Sequence, residues 1–158
     1  MVGAAPVGIG APIDFQMTRD EFREGVFARD KVCVVCGEPY QDAHHILERR
    51  LFPDGGYHLD NGAALCSEHH WDAETTDLSA QEIREFAGIS NIYLPEHFYP
   101  DNEYDKWGNI LLPDGDRLKG ELWHDESFQK VIAGWVVFRD LVKYPRTYHA
   151  PWSKSGVA

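Results

Sequence analysis

The stretch 31–50, KVCVVCGEPYQDAHHILERR, decides how this chain is read. It opens with Cys33 and Cys36, turns through Gly37 and Pro39, and delivers two adjacent histidines, His44 and His45. Its first half reads as a strand and a tight turn, with Gly37 supplying the turn's backbone freedom. The second half reads as the end of another strand. Along an extended chain neighbouring side chains point to opposite sides, so the two histidines cannot share one task.

Working outward, Cys66 and His69 repeat the short spacing as CxxH. Thiolate and imidazole donors suit tetrahedral zinc, one pair supplied by a turn and the other by a helix start. A structural zinc on Cys33, Cys36, Cys66 and His69 is therefore expected. The alternative is three buried cysteines acting as small hydrophobes. That reading leaves unexplained the turn chemistry beside one pair and the histidines beside the third cysteine. Three cysteines cannot all pair as disulfides, and a redox CxxC would need a βαβ pattern that is missing here.

With His69 given to zinc, His44, His45 and His70 remain, and Asn61 stands between them in LDNGAALC. The order HH…N…CxxHH, nested inside the knuckles and preceded by VFARDKVCVVCG, resembles the HNH endonuclease family over residues 22–76. The resemblance implies an α+β fold with a small ββα-metal, treble-clef-like core. It implies His44 and His70 as ligands of a catalytic divalent metal such as Mg²⁺ or Mn²⁺, and His45 as general base. Asn61 becomes the residue that fixes the loop and orients His45. The chemistry is consistent with this division. A neutral imidazole takes a proton from water near neutral pH, while a metal polarises the phosphate and stabilises the leaving oxyanion. One site per chain would nick one strand.

The chain departs from the family in two places. Many members carry Asp where His44 stands, and some carry a further His where Glu74 stands. On a helix Glu74 lies four residues beyond His70 and faces the same way, which makes it a candidate third ligand. A solvated acid is the plainer reading of that residue. Asp42 is placed to touch either the metal or a histidine. The isolated His58, His97 and His124 read as surface or satisfied polar groups.

Charge complicates a nucleic-acid partner. The 158 residues carry 15 basic and 26 acidic side chains, a net of −11, which repels a polyanion at long range. Residues 68–85 hold six acids and one base, and residues 96–126 hold nine acids and three bases. Residues 142–158 hold Lys143, Arg146 and Lys154 and no acid. Arg49 and Arg50, directly after the histidines, suit phosphate contacts. The expected partner is nucleic acid, DNA ahead of RNA, helped by a protein partner that offsets the acidic surface. A non-catalytic zinc adaptor and an RNA-processing nuclease are the competing readings. No run approaches the roughly 18 apolar residues of a membrane span, so no membrane partner is expected. The opening MVGAAPVGIGAPIDF lacks a basic n-region, so the expectation is a cytoplasmic protein of bacterial or phage-like type.

The chain divides into a flexible arm (1–17), a nuclease core (18–90), an auxiliary aromatic-rich segment (91–142) and an extended tail (143–158). Thr18 with Glu21, and Ser79 with Glu82, are capping boxes that predict helix starts, and Gly88 predicts a stop. A further helix is expected to begin near Cys66. Residues 63–65 read as an apolar patch. The auxiliary segment is expected to hold a hairpin around Asp114 and Gly115 and a helix with Phe128, Ile132, Trp135, Val136 and Phe138 broadly on one side. Its Trp and Tyr residues fit core packing better than base stacking. The tail KYPRTYHAPWS (143–153) resembles a short signature of ATP-dependent RNA ligases, with Ala150 in place of the more usual Leu. No lysine-centred nucleotidyl-transfer motif follows it, so ligase activity is not implied.

Overall fold

Thr18 and Glu21 open the first helix as expected. The Thr18 hydroxyl accepts the Glu21 amide at 3.1 Å, and the Glu21 carboxylate accepts the Thr18 amide at 2.9 Å. Two amides that a helix start leaves unpaired are thereby satisfied. The computed structural model describes residues 16–133. Within them α1 spans Arg19–Asp30 and buries Phe22 and Val26 on one face. That face rests on a two-stranded antiparallel sheet of β1 (Asp42–His45) and β2 (Gly62–Leu65). Gly62 permits the approach: a β-carbon there would lie 2.5 Å from the Phe22 ring and 2.7 Å from Val26. The end of α1 is then tied to the sheet. Asp30 accepts the Ala64 amide at 2.8 Å, and Arg29 donates to the carbonyls of Leu59 and Gly62.

Two local expectations shift. Residues 33–36 form a turn and not a strand, with the Gly37 amide returning to the Cys33 carbonyl at 2.9 Å. A strand would put positions 33 and 36 on opposite faces, whereas the turn brings both sulfurs to one side. The apolar patch at 63–65 lies within β2, whose four residues are all buried. Ala64 packs with Phe22 and Val26, while Ala63 and Leu65 join the main core.

Cys66 caps α2 (Ser67–Glu74), and the Ser79–Glu82 box starts α3 (Ala80–Ala87). Gly88, at φ 73°, ends α3 in the left-handed backbone that glycine adopts without strain. A three-stranded antiparallel sheet follows, with β3 (Glu103–Tyr104), β4 (Ile110–Leu111) and β5 (Arg117–Leu118). β4 and β5 are the expected hairpin, and β3, of the same two-residue length, adds a strand that was not expected. α4 (Glu126–Ala133) buries Phe128 and Ile132. Trp135, Val136, Phe138, the tail and most of the N-terminal arm lie outside the described residues.

Composition changes near residue 91, but the core does not divide there. Ile46, Leu47, Leu51, Leu65 and Ile83 pack in one cluster with Phe98, Tyr104, Ile110 and Leu118. The aromatic-rich segment completes the core of the preceding one, and Trp107, Trp123, Phe128 and Ile132 form a smaller second cluster. The described residues are thus α+β, with four helices and two small antiparallel sheets. Among them no helix is long and apolar enough to cross a membrane.

Candidate functional site

Cys33, Cys36, Cys66 and His69 converge, with donor atoms all within 4.8 Å of one another. His69 Nδ1 lies 3.7 Å from Cys33 Sγ and 3.3 Å from Cys66 Sγ, and Cys36 Sγ lies 3.9 Å from Cys66 Sγ. A disulfide needs about 2.05 Å, so the sulfurs are free thiols. Donors about 2.0–2.3 Å from a tetrahedral zinc stand roughly 3.3–3.8 Å apart, close to what these atoms show. Burial favours the Cys33 thiol, yet backbone amides of Cys66, Cys36 and Val35 bring it down to about 7. The Glu38 amide favours the Cys36 thiolate, but desolvation and the sulfurs of Cys33 and Cys66 push it up to about 11. One thiolate forms readily and resists the next, which a cation among them would relieve. The cluster can hold a metal such as zinc.

The β1–β2 register separates the two adjacent histidines. His44 stands opposite Ala63 and His45 opposite Gly62, and strand alternation turns their side chains apart. His44 is 2% exposed, and neither ring nitrogen has a hydrogen-bond partner. Its Nδ1 lies 3.6 Å from Glu74 Oε2, the oxygen that is also 3.5 Å from His70 Nε2. His70 and Glu74 come from successive turns of α2, so they share a face. His44, His70 and Glu74 offer donor atoms within 4.8 Å of one another. Asp42 Oδ2 sits 3.1 Å from His70 Nδ1, the arrangement in which a carboxylate sets a ligand's tautomer and leaves the other nitrogen facing the site. Two unanswered nitrogens on a buried imidazole are costly. A cation beside Glu74 would answer one of them.

His45 is held differently. Its ring stacks on Phe22, with centroids 4.5 Å apart, and meets Tyr57 edge-on at 5.1 Å. Its Nε2 is buried without a partner. Burial, then the charges of Lys106 and Arg49, push its pKa down to about 4. Burial and Lys106 likewise hold His44 well below the ordinary histidine range. Asn61 does close the loop between the two strands. Its Oδ1 accepts the Leu47 amide at 3.0 Å, and its Nδ2 donates to the carbonyls of Leu47 and Gly56 at 3.2 Å. Those bonds go to backbone and not to His45, which takes its orientation from Phe22 and Tyr57.

A cleft of about 300 Å³ opens over His44, His45, His70 and Glu74, flanked by Arg19, Arg23, Arg49 and Lys106. The expected arginine pair separates. Arg49 lines the cleft and donates to the Tyr57 hydroxyl at 2.9 Å. Arg50 pairs with Glu48 at 3.0 Å and Asp125 at 2.7 Å, so its charge is already answered. Arg19 and Arg23 escaped the sequence reading. Their spacing of four along a helix that buries Phe22 was the available signal.

Lys106 also escaped it, and no local pattern marks it. It is 6% exposed, with Nζ 3.0 Å from Glu48 Oε1 and 2.8 Å from Glu74 Oε2. A turn built on Asp105 presents it, the Asp105 carboxylate accepting the amides of Trp107 and Asn109 at 2.9 Å. The Trp107 indole then donates to the Glu74 carbonyl at 2.9 Å and fastens this turn to α2. Burial opposes the Glu74 charge, but His70 and Lys106 outweigh it and hold Glu74 at about 2. The remaining histidines among the described residues stay outside the cleft. His58 is buried against Asp54 and stacked on Tyr93, His97 pairs with Glu121, and His124 is exposed.

Comparison with protein-family models, with curated proteins and with solved structures finds no match to this chain.

Proposed function

We propose that this chain is a metal-dependent HNH endonuclease with a structural zinc, hydrolysing phosphodiester bonds in nucleic acid, DNA in the first place. The order β1, β2, α2, with one cysteine knuckle before β1 and the other at the start of α2, supports a ββα-metal reading. One observation carries it above all: the division of His44 from His45. His44 stands with His70 and Glu74, its two nitrogens unanswered, while His45 stands apart against Phe22 with an unpaired Nε2. A zinc adaptor has no use for such a pair.

In this reading His44, His70 and Glu74 would hold the divalent ion, with Asp42 steadying His70. A bound ion supplies Lewis-acid polarisation of the phosphate and stabilises charge on the leaving oxygen. The chain's own residues do the rest. Arg19, Arg23 and Arg49 draw backbone phosphates into the cleft despite the net charge of −11. Local cations act within a Debye length of about 8 Å, beyond which exposed acids are largely screened. His45 is uncharged across the physiological range and takes a proton from the attacking water. A phosphate beside it adds negative charge and raises its basicity. Asn61 keeps the loop bearing Arg49 in place.

Incubating supercoiled plasmid and a labelled RNA separately with Mg²⁺, Mn²⁺ or Ni²⁺ tests the reading. Plasmid nicking that His45→Ala abolishes is the expected result. Binding without cleavage under every metal would replace the nuclease with a zinc adaptor. Cleavage of RNA alone would move the substrate class.

A further inference from the structure

α3 buries a second cation, and nothing among the described residues answers it. Arg84 is 7% exposed, and its Nε is buried without a hydrogen-bond partner. No carboxylate or carbonyl of the described residues pairs with its guanidinium. Burial depresses its pKa, and the exposed Glu103 opposes that only through space. Lys106, the other buried cation, has two carboxylates within 3.0 Å. A buried cationic group with an unpaired donor is among the costlier features a fold can carry, and an anion in contact with it would relieve that cost.

Arg84 lines a cavity of about 710 Å³, inside the range typical of small-molecule sites. Its lining is largely apolar, with Ile92, Leu94 and Pro95 beside Tyr93, Phe98 and Tyr104, rings that already stack on Phe52 and His58 or on each other. The amides at this cavity are already used: Asn102 donates to the Tyr104 hydroxyl, Asn91 to Asp60 and Gln81 to Glu85. Among the described residues Arg84 Nε is thus a buried donor on this lining without a partner. Three exposed acids, Glu96, Asp101 and Glu103, stand on the same lining. They repel phosphates and polyanions but penalise a singly charged group far less. None of the described residues lining this cavity lines the His44–His45 cleft.

We propose that this cavity binds a small organic carboxylate with an apolar body, held by the Arg84 fork and seated on the apolar lining. A guanidinium forms two parallel in-plane bonds to a carboxylate, which an alcohol cannot return; a dianionic phosphate offers the same fork but meets the repulsion of Glu96, Asp101 and Glu103. The inference does not depend on the nuclease reading.

The test uses the full chain and indole-3-acetate and benzoate as probes, with benzyl alcohol and phenyl phosphate as charge controls. Binding is followed by calorimetry and by NMR shifts of Tyr93, Phe98 and Tyr104. The carboxylates should bind and the controls should not. Arg84→Met should weaken binding by about tenfold or more, the loss of a charge-assisted bidentate contact. It should melt no lower than the parent, because it removes an uncompensated buried charge. Glu103→Gln, an exposed change, should tighten carboxylate binding and keeps the test informative if Arg84→Met folds poorly. Absence of binding up to about 10 mM, near the weakest affinity worth assigning, would overturn the proposal. So would equal binding by Arg84→Met, or tighter binding of phenyl phosphate. Cross-relaxation between residues 134–158 and Tyr93 without any probe would overturn it too, since the chain would then fill its own cavity.

Discussion

Lys106 Nζ lies 2.8 Å from Glu74 Oε2, the same oxygen that stands 3.6 Å from His44 Nδ1 and 3.5 Å from His70 Nε2. One carboxylate oxygen faces a buried ammonium and both candidate ligand imidazoles. Lys106 therefore neutralises Glu74 and competes with any ion for it, while joining the turn after β3 to α2.

Lys106→Met should destabilise the fold by about 3 kcal/mol, the low end of the cost of breaking a buried pair, because Arg50 still serves Glu48. With its competitor gone, Glu74 should hold a divalent ion more tightly. Urea unfolding with and without Mn²⁺ checks both points. Mn²⁺ should raise the midpoint of the variant more than that of the parent, and an equal rise would contradict the competition.

About one zinc should be found per chain. Cys33→Ser or Cys66→Ser should unfold the region around the knuckles, because ligand loss removes folding free energy. Metal analysis of protein prepared without chelator, alongside melting curves, decides this. A zinc-free protein, or a Cys33→Ser variant melting like the parent, would defeat it.

The paired histidines should fail in different ways. His45→Ala should lose about 10²–10⁴ in cleavage rate, the usual contribution of a general base. It should keep its response to metal, since His44, His70 and Glu74 remain. His44→Ala should instead recover part of its activity as Mn²⁺ or Mg²⁺ is raised. Metal titration of the two variants side by side is the measurement, and rescue of the wrong one would interchange the assignments.

Stability should fall in acid. His45 titrates at about 4 in the folded chain and at about 6.5 unfolded. Between those values the unfolded chain binds a proton that the native one refuses, so stability drops as pH falls through that window. Glu74, held at about 2, acts in the same direction: its contribution is complete above its unfolded value and is lost as pH falls toward 2. His70 is shifted upward by its bond to Glu74, so its contribution is full below about pH 6.5 and fades as pH rises through its folded pKa. Urea midpoints from about pH 7 to pH 4.5 should fall less steeply in His45→Gln than in the parent. Parallel curves would remove His45 as a cause.

Nucleic-acid binding should depend on Arg49 and not on Arg50. Arg49→Ala should weaken binding and reduce the salt slope by about 0.9, one phosphate contact. Arg50→Ala should leave the slope alone and lower stability instead, since its charge serves Glu48 and Asp125. Binding measured at several salt concentrations separates the two, and matching slopes for both variants would refute the assignment.

What was legible in the chain alone is local. The capping boxes at Thr18 and Ser79, the stop at Gly88, the CxxC and CxxH knuckles and the i,i+4 pair His70–Glu74 are set by the geometry of single turns, so residue type and spacing suffice to find them. The alternation that parts His44 from His45 is equally a property of one strand. What only the tertiary structure decided depends on segments distant in the chain. The core crosses residue 91, Arg50 turns away to Asp125 while Arg49 stays in the cleft, Lys106 arrives at Glu74, and Arg84 Nε is buried without a partner among the described residues. No periodicity encodes those relations, because each arises where separate elements pack and exclude water, and burial then decides which charges must find one another.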